Sequence, residues 1–248
     1  MTATRKIKTW RNPYSKGSSL CTPREIEIHE GITVLVGCNG SGKTTLMRNI
    51  EDELRIAKVP TATYYNLTDG GSHAGEDFLA QNMISLMAAM WTHSEGECIN
   101  INLALMASKL NRFIEEGDYY KDEQNRRLAR LLQSKEDIEK EKAQRKACKE
   151  RWLLFDSVDS GMSIDNLVEL KNFFNQILEI SQRAGVTTYI VITANGYELV
   201  DDMDCMDVTT GKYIRFKDYA DFRKFILKSK QKKLKRQERE EKTNQKNK

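Results

Sequence analysis

Two periodicities take turns along this chain, and their order sets the expected fold. Arg24 to Ile28 alternates charged and isoleucine residues, and Ile32-Thr33-Val34-Leu35-Val36 is the unbroken apolar run of a strand buried on both faces. Residues 5 to 37 therefore read as short strands, with a small antiparallel sheet before the apolar run. Leu46, Ile50 and Leu54 then recur at i, i+4 and i+8, a helical stripe. Residues 61–66 return to strand composition, and Leu67 to Gly75 reads as a glycine-bearing loop. Phe78, Leu79, Met83, Leu86 and Met87 predict a helix from Asp77 to Trp91, and a second runs from about Glu95 to Glu116. Beyond a charged stretch come the strand Trp152 to Phe155, a helix from Ser163 to Ala184, and the strand Thr187 to Thr193. That helix carries Leu167, Leu170, Phe174 and Ile177 on one face. A hairpin follows, Met206 to Val208 with Tyr213 to Phe216, and then a helix through Tyr219, Phe222, Phe225 and Ile226. Such alternation implies an α/β fold with a mainly parallel sheet and flanking helices.

The apolar strand runs directly into Gly37-Cys38-Asn39-Gly40-Ser41-Gly42-Lys43-Thr44-Thr45, which has the G-x4-G-K-T spacing of a P-loop. Small residues let successive backbone N–H groups turn inward, and the following helix aims its positive end at the same point. The expected ligand is a nucleoside triphosphate, with Lys43 reaching the β- and γ-phosphates and Thr44 the Mg²⁺ ion. Gly37, Asn39, Gly40, Ser41, Gly42 and Thr45 complete the cradle. The strand ending in Asp156 supplies the acidic group that such a loop needs beside Mg²⁺, the Walker B pattern. Trp10 or Tyr14 either stacks on the base or packs as an ordinary core or edge aromatic.

Composition narrows the setting. The longest apolar run, Met83 to Trp91, is half the length of a membrane span, so no membrane role and a cytoplasmic location are expected. The five cysteines are scattered and include Cys38 inside the phosphate loop, which points to free thiols. From Lys228 to Lys248 ten Lys/Arg face three Glu, a balance of +7 that leaves −3 for the rest. Residues 228–248 therefore read as a basic tail, frayed or disordered, that is a candidate for touching DNA, set off from residues 1–227, the nucleotide-binding domain. Residues 117–150 carry dense mixed charge with few apolars and read as a charged helical insert, broken near Ser134, that a DNA or protein partner would meet.

The P-loop, the Asp156 strand and the run Asp159-Ser160-Gly161-Met162-Ser163-Ile164-Asp165 together resemble the ABC-type ATPases, especially the soluble SMC and RecF-like branch. The resemblance covers residues 5 to 225 and makes Ser160 to Asp165 the D-loop. It implies a signature motif that binds the γ-phosphate held by an opposite subunit. His93-Ser94-Glu95-Gly96-Glu97 is the match, with Ser94 and Gly96 as contacts, although Ser94 and Glu97 also form an S-x-x-E capping box that needs no ligand. The implied assembly is an ATP-dependent head-to-tail homodimer, and the implied setting is DNA-related. The family's Mg²⁺-sensing glutamine has Asn66 and Gln81 as candidates.

Three departures bear on chemistry. The residue after Asp156, normally a glutamate base, is Ser157, whose hydroxyl cannot take a proton at neutral pH; Asp159 is the nearest substitute. Where the family places a switch histidine the chain reads Ala194-Asn195, and Asn195 can bond the γ-phosphate but cannot shuttle a proton. The insert lies between signature and Walker B, so it is not the SMC coiled coil. Slow ATP hydrolysis is the leading expectation, and a hydrolysis-deficient ATP switch is the alternative. A transporter subunit would need a membrane-coupling surface and an L-S-G-G-Q signature, and a P-loop kinase would leave the D-loop-like run unexplained.

Overall fold

The computed structural model describes residues 3–9, 23–65, 109–117 and 134–246. Six strands form the main sheet: β3 (Gly31–Val36), β4 (Thr61–Tyr65), β5 (Glu150–Asp156), β6 (Thr187–Thr193), β7 (Cys205–Asp207) and β8 (Lys212–Ile214). Their order is β4-β5-β6-β3-β7-β8, parallel throughout except for β8, which closes one edge as the antiparallel arm of a hairpin with β7. A separate antiparallel pair joins β1 (Thr4–Lys8) to β2 (Glu25–His29), with Ile7 opposite Ile26. The expected α/β architecture and small N-terminal sheet are what the chain forms.

Side-chain alternation divides the core into two layers. Val34, Val36, Leu153, Phe155, Ile190 and Ile192 face one way and meet Leu167, Leu170, Phe174 and Ile177 of α3 (Ile164–Ala184). Their neighbours Leu35, Trp152, Leu154, Tyr189 and Val191 face the other way, against Leu46, Met47, Ile50 and Leu54 of α1 (Lys43–Ile56). Ile7, Ile26 and Ile28 of the small sheet close this second layer. Central strands covered on both faces need continuous apolar sequence, which is why β3, β5 and β6 read so clearly.

Of the insert, α2 (Lys135–Ala147) is described, and Ser134 is its cap, accepting the Asp137 N–H at 3.1 Å. Residues 118–133 of the insert, the loop 67–75 and the helix expected over 77–91 lie outside the described residues. Of the next expected helix only 109–116 is described, and it is helical. Arg151, fully buried, ties that segment to β5 by donating Nε to Phe113 O and Ile114 O at 3.0 and 3.1 Å and Nη1 to Cys148 O at 2.6 Å.

The last helix, α4 (Tyr219–Lys246), runs unbroken across residue 228. Phe222 seats it in the core, with Phe216 and Tyr197 against its ring, and Ser229 continues the same buried face at 7 % exposure. That face carries helical order into the lysine-rich segment, where charge alone suggests a frayed tail. Among the described residues, no helix is long and apolar enough to cross a membrane.

Candidate functional site

The parallel strands β3, β5 and β6 point their carboxyl ends at one edge, and the chemistry-bearing residues gather there. After β3 the chain turns through the loop and enters α1 at Gly42, whose φ of 101° is a left-handed value that glycine adopts without the clash a side chain would bring. Among the described residues no side chain caps the N-terminus of α1, and its first turn carries no acid, so neither competes for its N–H groups and positive end. Gly37 and Ser41 are buried beneath the loop, Asn39 and Gly40 form its exposed crown, and Thr45 is half-buried in the first turn.

Lys43 folds back across the loop, its Nζ donating to Gly37 O at 3.0 Å, and is 8 % exposed. Burial pushes its pKa down from the ordinary lysine value, while the carboxylates of Asp159 and Asp156 pull it up. The site therefore holds its cation at a desolvation cost, offset by two acids.

Asp156 sits at the end of β5 with 7 % exposure and gathers two hydroxyls. Thr44 Oγ1 lies 3.1 and 3.0 Å from its two oxygens, and Thr193 Oγ1, at the end of β6, donates to Oδ1 at 2.8 Å. The Thr193 hydroxyl also accepts the Ser157 N–H at 2.7 Å, linking the two strand ends. Ser157 takes a φ of 55°, a left-handed value uncommon outside glycine, asparagine and aspartate, so the chain bends sharply just after Asp156.

Asp159 is held differently. Its Oδ2 accepts the backbone N–H groups of Asn195 and Gly196 at 2.6 and 2.8 Å, and Asn195 Nδ2 lies 3.5 Å from Oδ1. The candidate base is thus a staple between the D-loop-like turn and the segment after β6. Asn195 itself is exposed at that strand end, beside Asp159.

These positions fit a nucleotide with a divalent cation: an uncapped helix N-terminus, a buried lysine, and Thr44 with Asp156 as paired hard oxygen donors. Among the described residues Ser41 Oγ is buried with no hydrogen-bond partner, a polar atom left over inside the cradle. Thr193 is a site residue that pattern reading passed over, because nothing in a strand sequence marks a hydroxyl that will meet a carboxylate 37 residues away. Ser94, Gly96, Trp10, Tyr14, Asn66 and Gln81 lie outside the described residues.

A family model described as an AAA domain matches residues 26–200, more than half of the chain. Solved structures that the fold is similar to include the ADP conformation of MJ1267, an ATP-binding cassette of an ABC transporter, at 16% identity, covering 90% of this chain and 94% of that one with a TM-score of 0.40. A second structure of MJ1267 gives 16% identity, 93% and 97% coverage and a TM-score of 0.43. Stu0660 of Streptococcus thermophilus gives 13% identity, 88% and 77% coverage and a TM-score of 0.35. No curated protein sequence matches.

Proposed function

We propose that this chain, which belongs to the AAA domain family, is an ABC-type ATPase that dimerises head to tail around two ATP molecules and hydrolyses them slowly. The observation that carries the reading is the meeting of Lys43, Thr44 and Asp156 at the carboxyl edge of the sheet, with Thr193 bracing Asp156. Lys43 and the α1 N–H groups hold phosphate oxygens, while Thr44 and Asp156 hold Mg²⁺, which when bound neutralises charge on the β- and γ-phosphates. Asn195 bonds the γ-phosphate.

Slowness follows from the base. Ser157 cannot accept a proton, and Asp159 already accepts two backbone N–H groups. Losing a well-placed base costs about 10²- to 10⁴-fold, with the phosphate cradle still stabilising the transition state. For the dimer, the reading calls for an open surface beside the D-loop-like turn. Ile164 and Val168, one helical turn apart on α3, are 65 % and 53 % exposed there. Ser94 and Gly96 supply the signature contact to the partner's nucleotide, and the SMC and RecF-like resemblance makes a DNA-related process in the cytoplasm the setting.

The second reading is a switch that binds ATP and dimerises without turnover, signalling to a protein partner. Ser157, Ala194 and the doubly engaged Asp159 favour it. Light scattering with and without Mg-ATP, read beside phosphate release from the same sample, separates the two. A dimer that forms with ATP and dissolves as phosphate appears supports the ATPase, and a lasting dimer without phosphate supports the switch. A monomer under both conditions overturns the dimer.

A further inference from the structure

The basic helix α4 does not trail away from the nucleotide site; it lies on the phosphate loop. Ser229, 7 % exposed, accepts the Cys38 N–H through its hydroxyl at 3.3 Å. One turn later Lys233 donates Nζ to Asn39 O at 3.0 Å. The approach is close enough that a Cβ on Gly40 would stand 2.5 Å from that ammonium. Two residues at i and i+4 on one face thus grip successive residues of the phosphate loop, the buried Cys38 and the exposed Asn39. The helix is fixed there from behind, because Phe222 is locked into the core two turns earlier.

A single hydrogen bond to a carbonyl does not require a lysine. What lysine adds is a full positive charge at the rim of a loop built to hold a polyanion, on a segment where Lys228, Lys230, Lys232, Lys235 and Arg236 bring further cations and no acid intervenes. We propose that Lys233 is a second phosphate-binding cation of this site, delivered in cis by α4, so that nucleotide binding and the docking of α4 strengthen each other. This inference rests on the ATP-binding reading. Lys43 works from inside the loop and Lys233 from its crown, and by linkage whatever the docked helix adds to nucleotide affinity the nucleotide returns to helix docking.

The test is Mg-ATP and Mg-ADP binding by calorimetry in low and high salt, for the full chain and its Lys233→Arg, Lys233→Gln and Lys233→Glu variants. Lys233→Gln keeps a donor for Asn39 O but loses the charge. It is expected to weaken Mg-ATP binding about tenfold at low salt and much less at high salt, as for a charge at the rim of a binding site. Lys233→Glu should weaken it further, Lys233→Arg should retain it, and the loss should be smaller for Mg-ADP. Limited trypsin digestion gives the reciprocal readout: Mg-ATP should slow cleavage between Lys228 and Arg236. Equal affinities for the original chain and Lys233→Gln overturn the proposal. Tighter binding by Lys233→Gln, with ATP speeding cleavage, also overturns it and makes α4 a latch that ATP must displace. If the unmodified chain binds no nucleotide at all, the ATP-binding reading falls first, and this inference with it.

Discussion

The Thr193 hydroxyl donates to Asp156 at 2.8 Å and accepts the Ser157 N–H at 2.7 Å, so one buried group fixes both the acid of the site and the turn that follows it. Thr193→Val keeps the shape and removes both bonds, leaving the Ser157 N–H without this acceptor. Unfolding in urea should show a loss of about 1–3 kcal/mol. Mg²⁺-dependent nucleotide affinity should fall as well, since Asp156 then lacks one of the donors that orient it. Unchanged stability and unchanged Mg²⁺ dependence would remove Thr193 from the site.

Asp159 allows a structural role to be told apart from a chemical one. Asp159→Ala strips the acceptor from two backbone N–H groups, and a cost of about 1–3 kcal/mol is expected. Asp159→Asn keeps an oxygen for those bonds and should recover much of that stability. If Asp159 is also the base, Asp159→Asn still lowers single-turnover phosphate release by about 10²-fold or more. Full phosphate release in a well-folded Asp159→Asn variant would show that it is a staple only.

Lys43 gives a pH dependence with a definite sign. Its folded-state pKa is lowered by burial, so between that value and the ordinary 10.5 the unfolded chain binds the extra proton and stability rises with pH. Lys43→Met lacks this group. The stability of the original chain relative to Lys43→Met, from denaturant curves at pH 7 and near pH 10, should therefore shift in favour of lysine at the higher pH. A shift the other way would contradict a desolvated lysine.

Arg151 is the clearest test of the core. Fully buried, it donates to backbone carbonyls of residues 113, 114, 148 and 150. Arg151→Ala should cost about 3 kcal/mol or more in thermal or urea unfolding, and Arg151→Lys should restore little, because an ammonium cannot match the planar fork.

Reading the sequence found what is local and missed what is assembled at a distance. Strand β3, the loop and α1 are contiguous, so spacing and periodicity carry the whole unit; the buried face of α3 at Leu167, Leu170, Phe174 and Ile177 follows from the same helical arithmetic. Thr193 with Asp156, and Asp159 with Asn195 and Gly196, join residues 36 or 37 apart, and no local pattern announces them. Arg151 stands between the charged stretch and the apolar run that begins at Trp152, and nothing in its neighbours marks it as an interior clamp on residues 113 and 114. In α4 the lysine content hides a usable signal: Phe222, Phe225, Ser229 and Lys233 recur at intervals of three and four, the spacing of one helix face.

The most direct measurement of the account is the stoichiometry and affinity of Mg-ATP binding by calorimetry, for the unmodified chain and for Lys43→Ala. One ATP per chain, with binding lost in Lys43→Ala, is the predicted result. Equal binding by both would place any nucleotide elsewhere and contradict the site assigned to the phosphate loop.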